Sequence, residues 1–98
     1  MTIRHTVVFT LVHPAGSPEE AAFLDTATET LSAIGPVRDF TVSRQVSAKS
    51  DLQWQFAMVF ADEADYAAYN DDPAHVAFVA NRWVPEVDAF QEYDFTPR

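Results

Sequence analysis

The sequence predicts an α+β domain with the ferredoxin-like split βαβ order, in which a four-stranded antiparallel sheet carries helices on one face. Two observations predict this class. Four segments alternate apolar and polar residues with a period of two, as β-strands do. Two helical segments lie between them, the second interrupted once, in the order β-α-β-β-α-β. The 98 residues are expected to form one domain, residues 1–98.

Composition and charge exclude several classes of protein. The formal net charge is −9, with fifteen acidic residues against six basic ones, so we expect no binding to nucleic acid or to an anionic membrane. The chain has no cysteine, which excludes disulfides and thiolate chemistry. No apolar run approaches the roughly 20 residues that cross a bilayer, and no signal segment precedes the first strand. We therefore expect a cytoplasmic protein.

The first predicted strand covers residues 2–12. Its apolar face carries Ile3, His5, Val7, Phe9 and Leu11, and its other face is mixed. A strand with one apolar face and one partly apolar face is typical of a sheet whose first face is covered by helices. Its second face would then be covered by a less apolar surface, such as a partner. His5 is therefore expected to point into the apolar layer.

The first helix is predicted to begin after Ser17, with Pro18 at its first position and an acidic residue at its third. Its apolar stripe is formed by Leu24, Ala27, Leu31 and Ile34 with Phe23 beside it. Gly35 is expected to end the helix as a left-handed residue, with Pro36 preventing any continuation.

The middle of the chain predicts two more strands. Residues 37–46 alternate with a polar side, which indicates a position near a sheet edge. Residues 53–60 alternate around Trp54, Phe56, Met58 and Phe60, which supplies a second apolar face. A turn at residues 47–51 joins the two strands.

The second helical segment is broken and restarted. Asp62 is the expected N-cap of a short helix to about Asn70, and Asp72 with Pro73 starts a second piece that Pro85 is expected to end. The second piece is predicted to turn a stripe inward, formed by Val76, Val79, Ala80 and Trp83. Residues 87–95 alternate as the last strand.

Residues able to do proton chemistry gather around this helix break. Tyr66 and Tyr69 share a side of the short helix, and His75 is the third residue of the next piece. If the two pieces bend around one end of the sheet, Tyr69 and His75 face the same cavity as His5. An imidazole can move a proton near neutral pH, and a phenol can hydrogen-bond a developing oxyanion. The same residues also fit a structural interpretation, in which each tyrosine packs in the core and each histidine is a satisfied core or capping residue.

No metal or cofactor site is expected. The three histidines, at positions 5, 13 and 75, lack the close spacing of metal ligands. The acidic pairs at 19–20 and 71–72 lie at helix starts, where the helix dipole accounts for them. With two glycines in the chain there is no glycine-rich phosphate loop. His13 is expected to be a surface loop residue.

Three short motifs are similar to those of one known family. The segments IRHTVVF at residues 3–9, DPAHVAF at 72–78 and YDFTPR at 93–98 resemble the stress-responsive A/B barrel domain (Dabb) family, and the resemblance spans essentially the whole chain. It implies a ferredoxin-like subunit whose sheet packs face to face with that of a second copy, giving a homodimeric α/β barrel. A partner-facing surface of Val8, Val12, Val59 and Phe95 would suit such a homodimer.

The family resemblance also implies candidate site residues. Plant olivetolic acid cyclase, a family member, closes a linear polyketide by aldol condensation. Its catalytic His, its catalytic Tyr and its first-strand His match His75, Tyr69 and His5. The resemblance places an apolar pocket wall at Val7, Phe9, Phe23 and Leu24. Two positions depart from the cyclase: Ala27 replaces a pocket tyrosine, and Glu92 stands where the cyclase has an aliphatic residue, so a carboxylate is expected to meet the substrate.

Three hypotheses for function result. The first is a cofactor-independent cyclase or lyase that acts on a small apolar or carbonyl ligand, with His75 as general base, Tyr69 on the carbonyl oxygen and His5 orienting the substrate. The second is a non-catalytic stress or small-ligand-binding barrel protein with no sizeable cavity behind His75 and Tyr69. The third is a cofactor-independent monooxygenase of the same architecture. A cavity of roughly 300 Å³ or more favours the first hypothesis over the second.

Overall fold

The computed structural model describes residues 1–98 and confirms the predicted fold class. Four strands form one antiparallel sheet in the order β2-β3-β1-β4. Their bounds are Ile3–Leu11 (β1), Arg38–Arg44 (β2), Trp54–Phe60 (β3) and Val87–Phe95 (β4). Helices cover one face of this sheet. No helix is both long and apolar enough to cross a membrane.

β1 lies in the middle of the sheet and has the predicted alternation. Its five predicted inward residues, from Ile3 to Leu11, are all buried. The register pairs His5 with Met58 on one side and with Asp94 on the other. Because directly opposite residues of antiparallel strands point to the same face, Asp94 is brought to the helix-covered side beside His5.

The first helix, α1, spans Pro18–Ser32. Ser17 caps it as predicted, because its side chain accepts a hydrogen bond from the Glu20 N–H. The predicted role of Gly35 is wrong: the helix ends with Ala33 in the right-handed region, and the only glycine with positive φ is Gly16, at 78°. Glu20 is buried and accepts hydrogen bonds from the Gly16 N–H and the Trp54 indole N–H.

The edge position predicted for the second strand is confirmed, since β2 pairs only with β3. A register shift interrupts this pairing between Arg38 and Thr41, where Asp39 has a positive φ of 54°. β3 buries its four predicted inward residues, from Trp54 to Phe60. Phe56, on β3, packs against Phe9 of β1 at a ring-centroid distance of 4.6 Å.

The second helical segment is broken where predicted, and it also contains a π-helical turn. α2 spans Glu63–Asp71 and α3 spans Pro73–Phe78; a π-helical turn at Val79–Trp83 then leads into the short α4, Val84–Glu86. The helical run ends at Glu86, one residue beyond Pro85, in agreement with the predicted end to within one residue. The predicted inward stripe is wrong at Val76, which is 53% exposed, and at Ala80, which is also exposed, whereas Phe78 is buried.

The core lies between the sheet and α1 and is dominated by aromatic rings. Phe9, Phe23 and Phe56 are almost fully buried and contact one another. Phe78 and Trp83 pack against Phe23 from the second helical segment. This cluster fills part of the layer between the sheet and the helices, and the rest of that layer contains a cavity.

Candidate functional site

A cavity of about 600 Å³ lies between the sheet and the second helical segment. Its lining is mainly apolar and includes Val7, Met58, Phe78, Trp83 and Phe90. Its polar lining residues come from β1, α2, α3 and β4, and they are His5, Tyr66, Tyr69, Asn70, His75 and Glu92. A largely apolar cavity with a few converging polar groups is the usual form of a small-molecule site.

The helix break positions His75. The Asp72 side chain accepts a hydrogen bond from the Ala74 N–H and so starts α3. His75 Nδ1 lies 3.2 Å from the backbone carbonyl oxygen of Asn70, which can only accept, so Nδ1 carries the proton. Burial lowers the pKa of His75 and outweighs the opposing effect of this hydrogen bond. At neutral pH the ring is therefore uncharged and Nε2 is a free acceptor.

Tyr69 lies directly against His75, with ring centroids 4.3 Å apart. The residue is 3% exposed, yet its hydroxyl makes no hydrogen bond to another residue of the chain and belongs to a cavity-lining side chain. Burial raises the pKa of Tyr69, and the negative charge of Glu92 raises it further. The hydroxyl therefore stays protonated and is available as a hydrogen-bond donor.

His5 is held by two partners. Its Nδ1 lies 2.6 Å from Asp94 Oδ1 and 3.1 Å from the Tyr66 hydroxyl, and that hydroxyl donates to Asp94 Oδ2 over 3.0 Å. Because the carboxylate only accepts, His5 Nδ1 carries a proton and Nε2 is left as the acceptor. Burial and the Asp94 carboxylate raise the pKa of Tyr66. Both histidines of the cavity are thus held through Nδ1, and in both Nε2 is left as the acceptor.

Glu92 contributes the only carboxylate of the cavity lining. It lies opposite Val7 in the β1–β4 register, and the two residues therefore share the helix-covered face of the sheet. Glu92 therefore lines the cavity, where the sequence predicted a carboxylate. Its contact with a substrate stays a prediction.

The cavity does not include every residue of the predicted pocket wall. Val7 lines it, but Phe9 and Phe23 do not; both are 0% exposed and belong to the aromatic core. Leu24 is half-buried and packs on the outside of that core. Ala27, the second expected departure from the cyclase, is also fully buried in the core. The reason is that the rings around Phe23 fill the space between α1 and the sheet.

Sequence reasoning missed Asp94 as a partner of His5 and gave Tyr66 no role. The signal was present in β4, where the period of two puts Phe90, Glu92 and Asp94 on one face. What the sequence lacked was the β1–β4 register, since His5 and Asp94 are 89 positions apart.

A second polar cluster lies outside the cavity and corrects the prediction for His13. His13 Nε2 lies 2.7 Å from Glu86 Oε1, and Arg82 bonds to the same carboxylate, so His13 is half-buried rather than a plain surface residue. Burial alone would raise the pKa of Glu86, but the bonds from Arg82 and His13 outweigh it and lower the pKa. No group of three His, Asp or Glu side chains is arranged to hold a metal ion.

Comparisons with known proteins identify the family. Residues 3–97 match the model of the stress responsive A/B barrel domain. A Dabb-family protein with a ferredoxin-like fold from Mesorhizobium loti is 55% identical, with a TM-score of 0.98 over 99% of this chain and 97% of that chain. A search of curated proteins found no match.

Two more distant solved structures share the fold alone. A dimeric ferredoxin-like protein of unknown function from Thermobifida fusca is 19% identical, with a TM-score of 0.80 over 99% of this chain and 92% of that one. A hydroxynitrile lyase from Passiflora edulis is 11% identical, with a TM-score of 0.85 over 99% and 94%. The family match over nearly the full length and the 55% identity settle the classification: the chain belongs to the stress responsive A/B barrel domain family.

Proposed function

We propose that this protein is a cofactor-independent enzyme of the lyase or cyclase type, which makes or breaks a carbon–carbon bond beside a carbonyl group. One observation carries the proposal: two anchored imidazoles and two protonated phenols line a single, mostly apolar cavity of about 600 Å³. That volume is well above the size expected to favour a ligand site over a closed interior.

The proton transfer begins at His75. Its Nε2 takes a proton from the carbon next to the bound carbonyl, and the electron pair of the broken C–H bond moves into the carbonyl to form an enolate. Tyr69 holds the enolate oxygen by donating its hydroxyl hydrogen bond, which stabilises charge that develops in the transition state. The enolate carbon then attacks a second carbonyl carbon, and the resulting alkoxide takes the proton back from His75. The reverse sequence is the lyase reaction.

His5 is the group that orients the substrate. Asp94 and Tyr66 fix its Nδ1, so Nε2 is available to accept a hydrogen bond from a hydroxyl group of the ligand. The fold of the Passiflora edulis enzyme makes lyase chemistry on this scaffold reasonable, although at 11% identity it supports no residue-level assignment.

The active form is proposed to be a homodimer formed through the sheet face that carries no helix. On that face, Arg4 stands in one row with Val59 on β3 and Phe95 on β4. Phe95 and the neighbouring Tyr93 stack on each other and are about half exposed, at 53% and 48%. In a monomer these rings would form a contiguous apolar patch exposed to water, which is uncommon in soluble monomers.

The non-catalytic alternative makes a different prediction for the same cavity. It expects His75 and Tyr69 to satisfy each other or water, with no sizeable space behind them. His75 instead bonds to the backbone of Asn70, and a cavity of about 600 Å³ adjoins both His75 and Tyr69. This arrangement favours the enzyme over a simple structural barrel.

The test is turnover of neutral β-hydroxy ketones, followed by the ultraviolet absorbance of the aldehyde released. Wild-type protein and a His75→Ala variant are compared at matched concentration, with circular dichroism as the check on folding. We expect aldehyde release by the wild type and none above background by the variant. Equal rates for the two proteins would contradict the assignment of His75, and release by neither would favour the non-catalytic binding protein.

A further inference from the structure

Glu92 is the one charged group in a cavity that has no basic residue to balance it. Neither Lys nor Arg lines the cavity, and the other polar lining groups are uncharged at neutral pH or, in the case of His5, already paired. The Glu92 carboxylate makes no hydrogen bond or ion pair with any residue of the chain. Glu92 is exposed, so water solvates its carboxylate in the empty cavity, and a ligand that displaces this water must offer a hydrogen-bond donor in its place.

Strand geometry keeps Glu92 from finding that donor within the protein. Its register partner is Val7, which is apolar, and its neighbours on the same face of β4 are Phe90 and Asp94. The donors nearest along the sheet, His5 Nδ1 and the Tyr66 hydroxyl, are already bound to Asp94. Of the two carboxylates on this face of β4, Glu92 therefore remains free to accept from a ligand, whereas Asp94 does not.

The surrounding charge strengthens this selection. The chain carries a formal net charge of −9, so the field at the cavity already opposes an anion. A ligand carboxylate held against Glu92 would be repelled, because the bound ligand displaces the water that solvates this exposed side chain. A hydroxyl or amide N–H in the same position would form a charge-assisted hydrogen bond, which is roughly twice as strong as a neutral one.

We infer that Glu92 sets the substrate class of this cavity: an uncharged carbonyl compound with an apolar body and a hydrogen-bond donor at the end that meets Glu92, with acidic compounds excluded. The inference deepens the proposed function and rests on it for the carbonyl end of the ligand. It assigns Glu92 to specificity and gives it no part in the proton transfer.

Three aldehydes of closely similar size test this inference. They are 4-methylbenzaldehyde, 4-(hydroxymethyl)benzaldehyde and 4-formylbenzoate, which differ only in the group opposite the aldehyde. Binding is measured by NMR titration of the isotope-labelled full chain, and shifts at the cavity residues Val7 and Met58 show that the ligand occupies the cavity. For the wild type we expect the hydroxymethyl compound to bind about threefold tighter than the methyl compound and at least about tenfold tighter than the carboxylate.

Two Glu92 variants separate charge from hydrogen bonding. Glu92→Gln keeps an acceptor and removes the charge, so it is expected to retain the hydroxymethyl preference while binding 4-formylbenzoate roughly tenfold better than the wild type does. Glu92→Leu removes both and is expected to bind the methyl compound best. Asp88→Asn and Asp88→Leu are the matched controls, because Asp88 is an exposed acid on β4 that does not line the cavity. Both controls are expected to keep the wild-type order.

Three outcomes would overturn the inference. The first is an unchanged binding order in Glu92→Leu, the second is an equal change in the Asp88 controls, and the third is no binding of the hydroxymethyl compound to the wild type. The inference and the proposed function fail separately. If His75-dependent turnover is found but the Glu92 variants keep the wild-type order, the inference alone is wrong. If the order changes as expected while no protein shows His75-dependent turnover, Glu92 selects ligands for a binding protein.

Discussion

His5 and Asp94 form a hydrogen-bonded cross-strand pair, with 2.6 Å between His5 Nδ1 and Asp94 Oδ1. The carboxylate fixes both the orientation and the tautomer of the ring, so Nε2 remains the acceptor. An amide in place of the carboxylate could donate to Nδ1 and reverse the tautomer. We therefore expect Asp94 to act as a positioning residue for His5.

Asp94→Asn is expected to lower kcat/KM by at least about tenfold, because the wrong nitrogen of His5 would then carry the proton. Steady-state kinetics on the β-hydroxy ketone substrate measure the loss across the pH–rate profile, and circular dichroism at each pH excludes misfolding as its cause. Asp88→Asn on the same strand is the charge-matched control and should behave as the wild type does. An unaltered rate and profile in Asp94→Asn would contradict the role.

His75→Ala is expected to reduce turnover by roughly 10²- to 10⁴-fold, the usual contribution of a general base. The free energy of unfolding should change little, since the ring is half-buried and its only hydrogen bond is to the Asn70 carbonyl. Urea titration followed by circular dichroism measures that free energy beside the kinetics. A variant that keeps its activity would exclude His75 as the base.

Burial lowers the pKa of His75, and this predicts a pH dependence of both rate and stability. The base must be neutral, so the rate should stay high as the pH falls through the ordinary histidine value of about 6.5 and drop only below it. For stability, the unfolded chain binds the proton more readily than the folded one in this range. Stabilisation is therefore complete above about pH 6.5 and is lost as the pH falls below it towards the lowered folded value. Denaturant midpoints of wild type and His75→Ala across pH 5–8 check the sign. A wild-type midpoint that rises relative to that of His75→Ala as the pH falls would contradict it.

Phe23→Ala is expected to lower the free energy of unfolding by about 3–5 kcal/mol, because Phe23 is 0% exposed and packs against four other rings. Val46→Ala serves as the control, since Val46 is 85% exposed and should cost less than about 0.5 kcal/mol. Denaturant unfolding measures both. A small loss at Phe23 would mean that the residue belongs to a flexible cavity wall instead of the core.

The homodimer predicts that the wild type elutes at twice the mass of one chain at micromolar concentration, as read by light scattering. Phe95→Asp should shift it to the mass of one chain, because a carboxylate would be buried without a partner. Val76→Asp is the matched control: Val76 is also 53% exposed but lies on α3, on the helix side. A wild-type monomer, or the same shift in both variants, would rule out the sheet-face interface.

Local sequence signals account for much of this molecule. The alternation in β1, the Ser17-Pro18 start of α1 and the capped restart at Asp72-Pro73 predicted the elements that carry His5, the core and His75. These features depend on neighbours within a few residues, so a local pattern contains them. Spacing on the short helix also placed Tyr69 beside His75, and the resemblance added the expectation of a sheet-to-sheet dimer.

Other features depend on contacts far apart in the chain and could not be predicted in this way. The His5–Asp94 pair requires the β1–β4 register, and the placement of Phe9 and Phe23 outside the cavity requires the packing of Phe78 and Trp83 against them. The π-helical turn at Val79–Trp83 carries no proline or glycine to mark it.

The central claim is that His75 removes a proton from the carbon beside a bound carbonyl group. Exchange of that proton for deuterium in D₂O, followed by ¹H NMR on 4-(hydroxymethyl)acetophenone, measures this step without requiring a complete turnover. The account predicts exchange by the wild type that slows by at least about 100-fold in His75→Ala. Exchange at the same rate in both proteins, or none above the uncatalysed rate in the wild type, would contradict it.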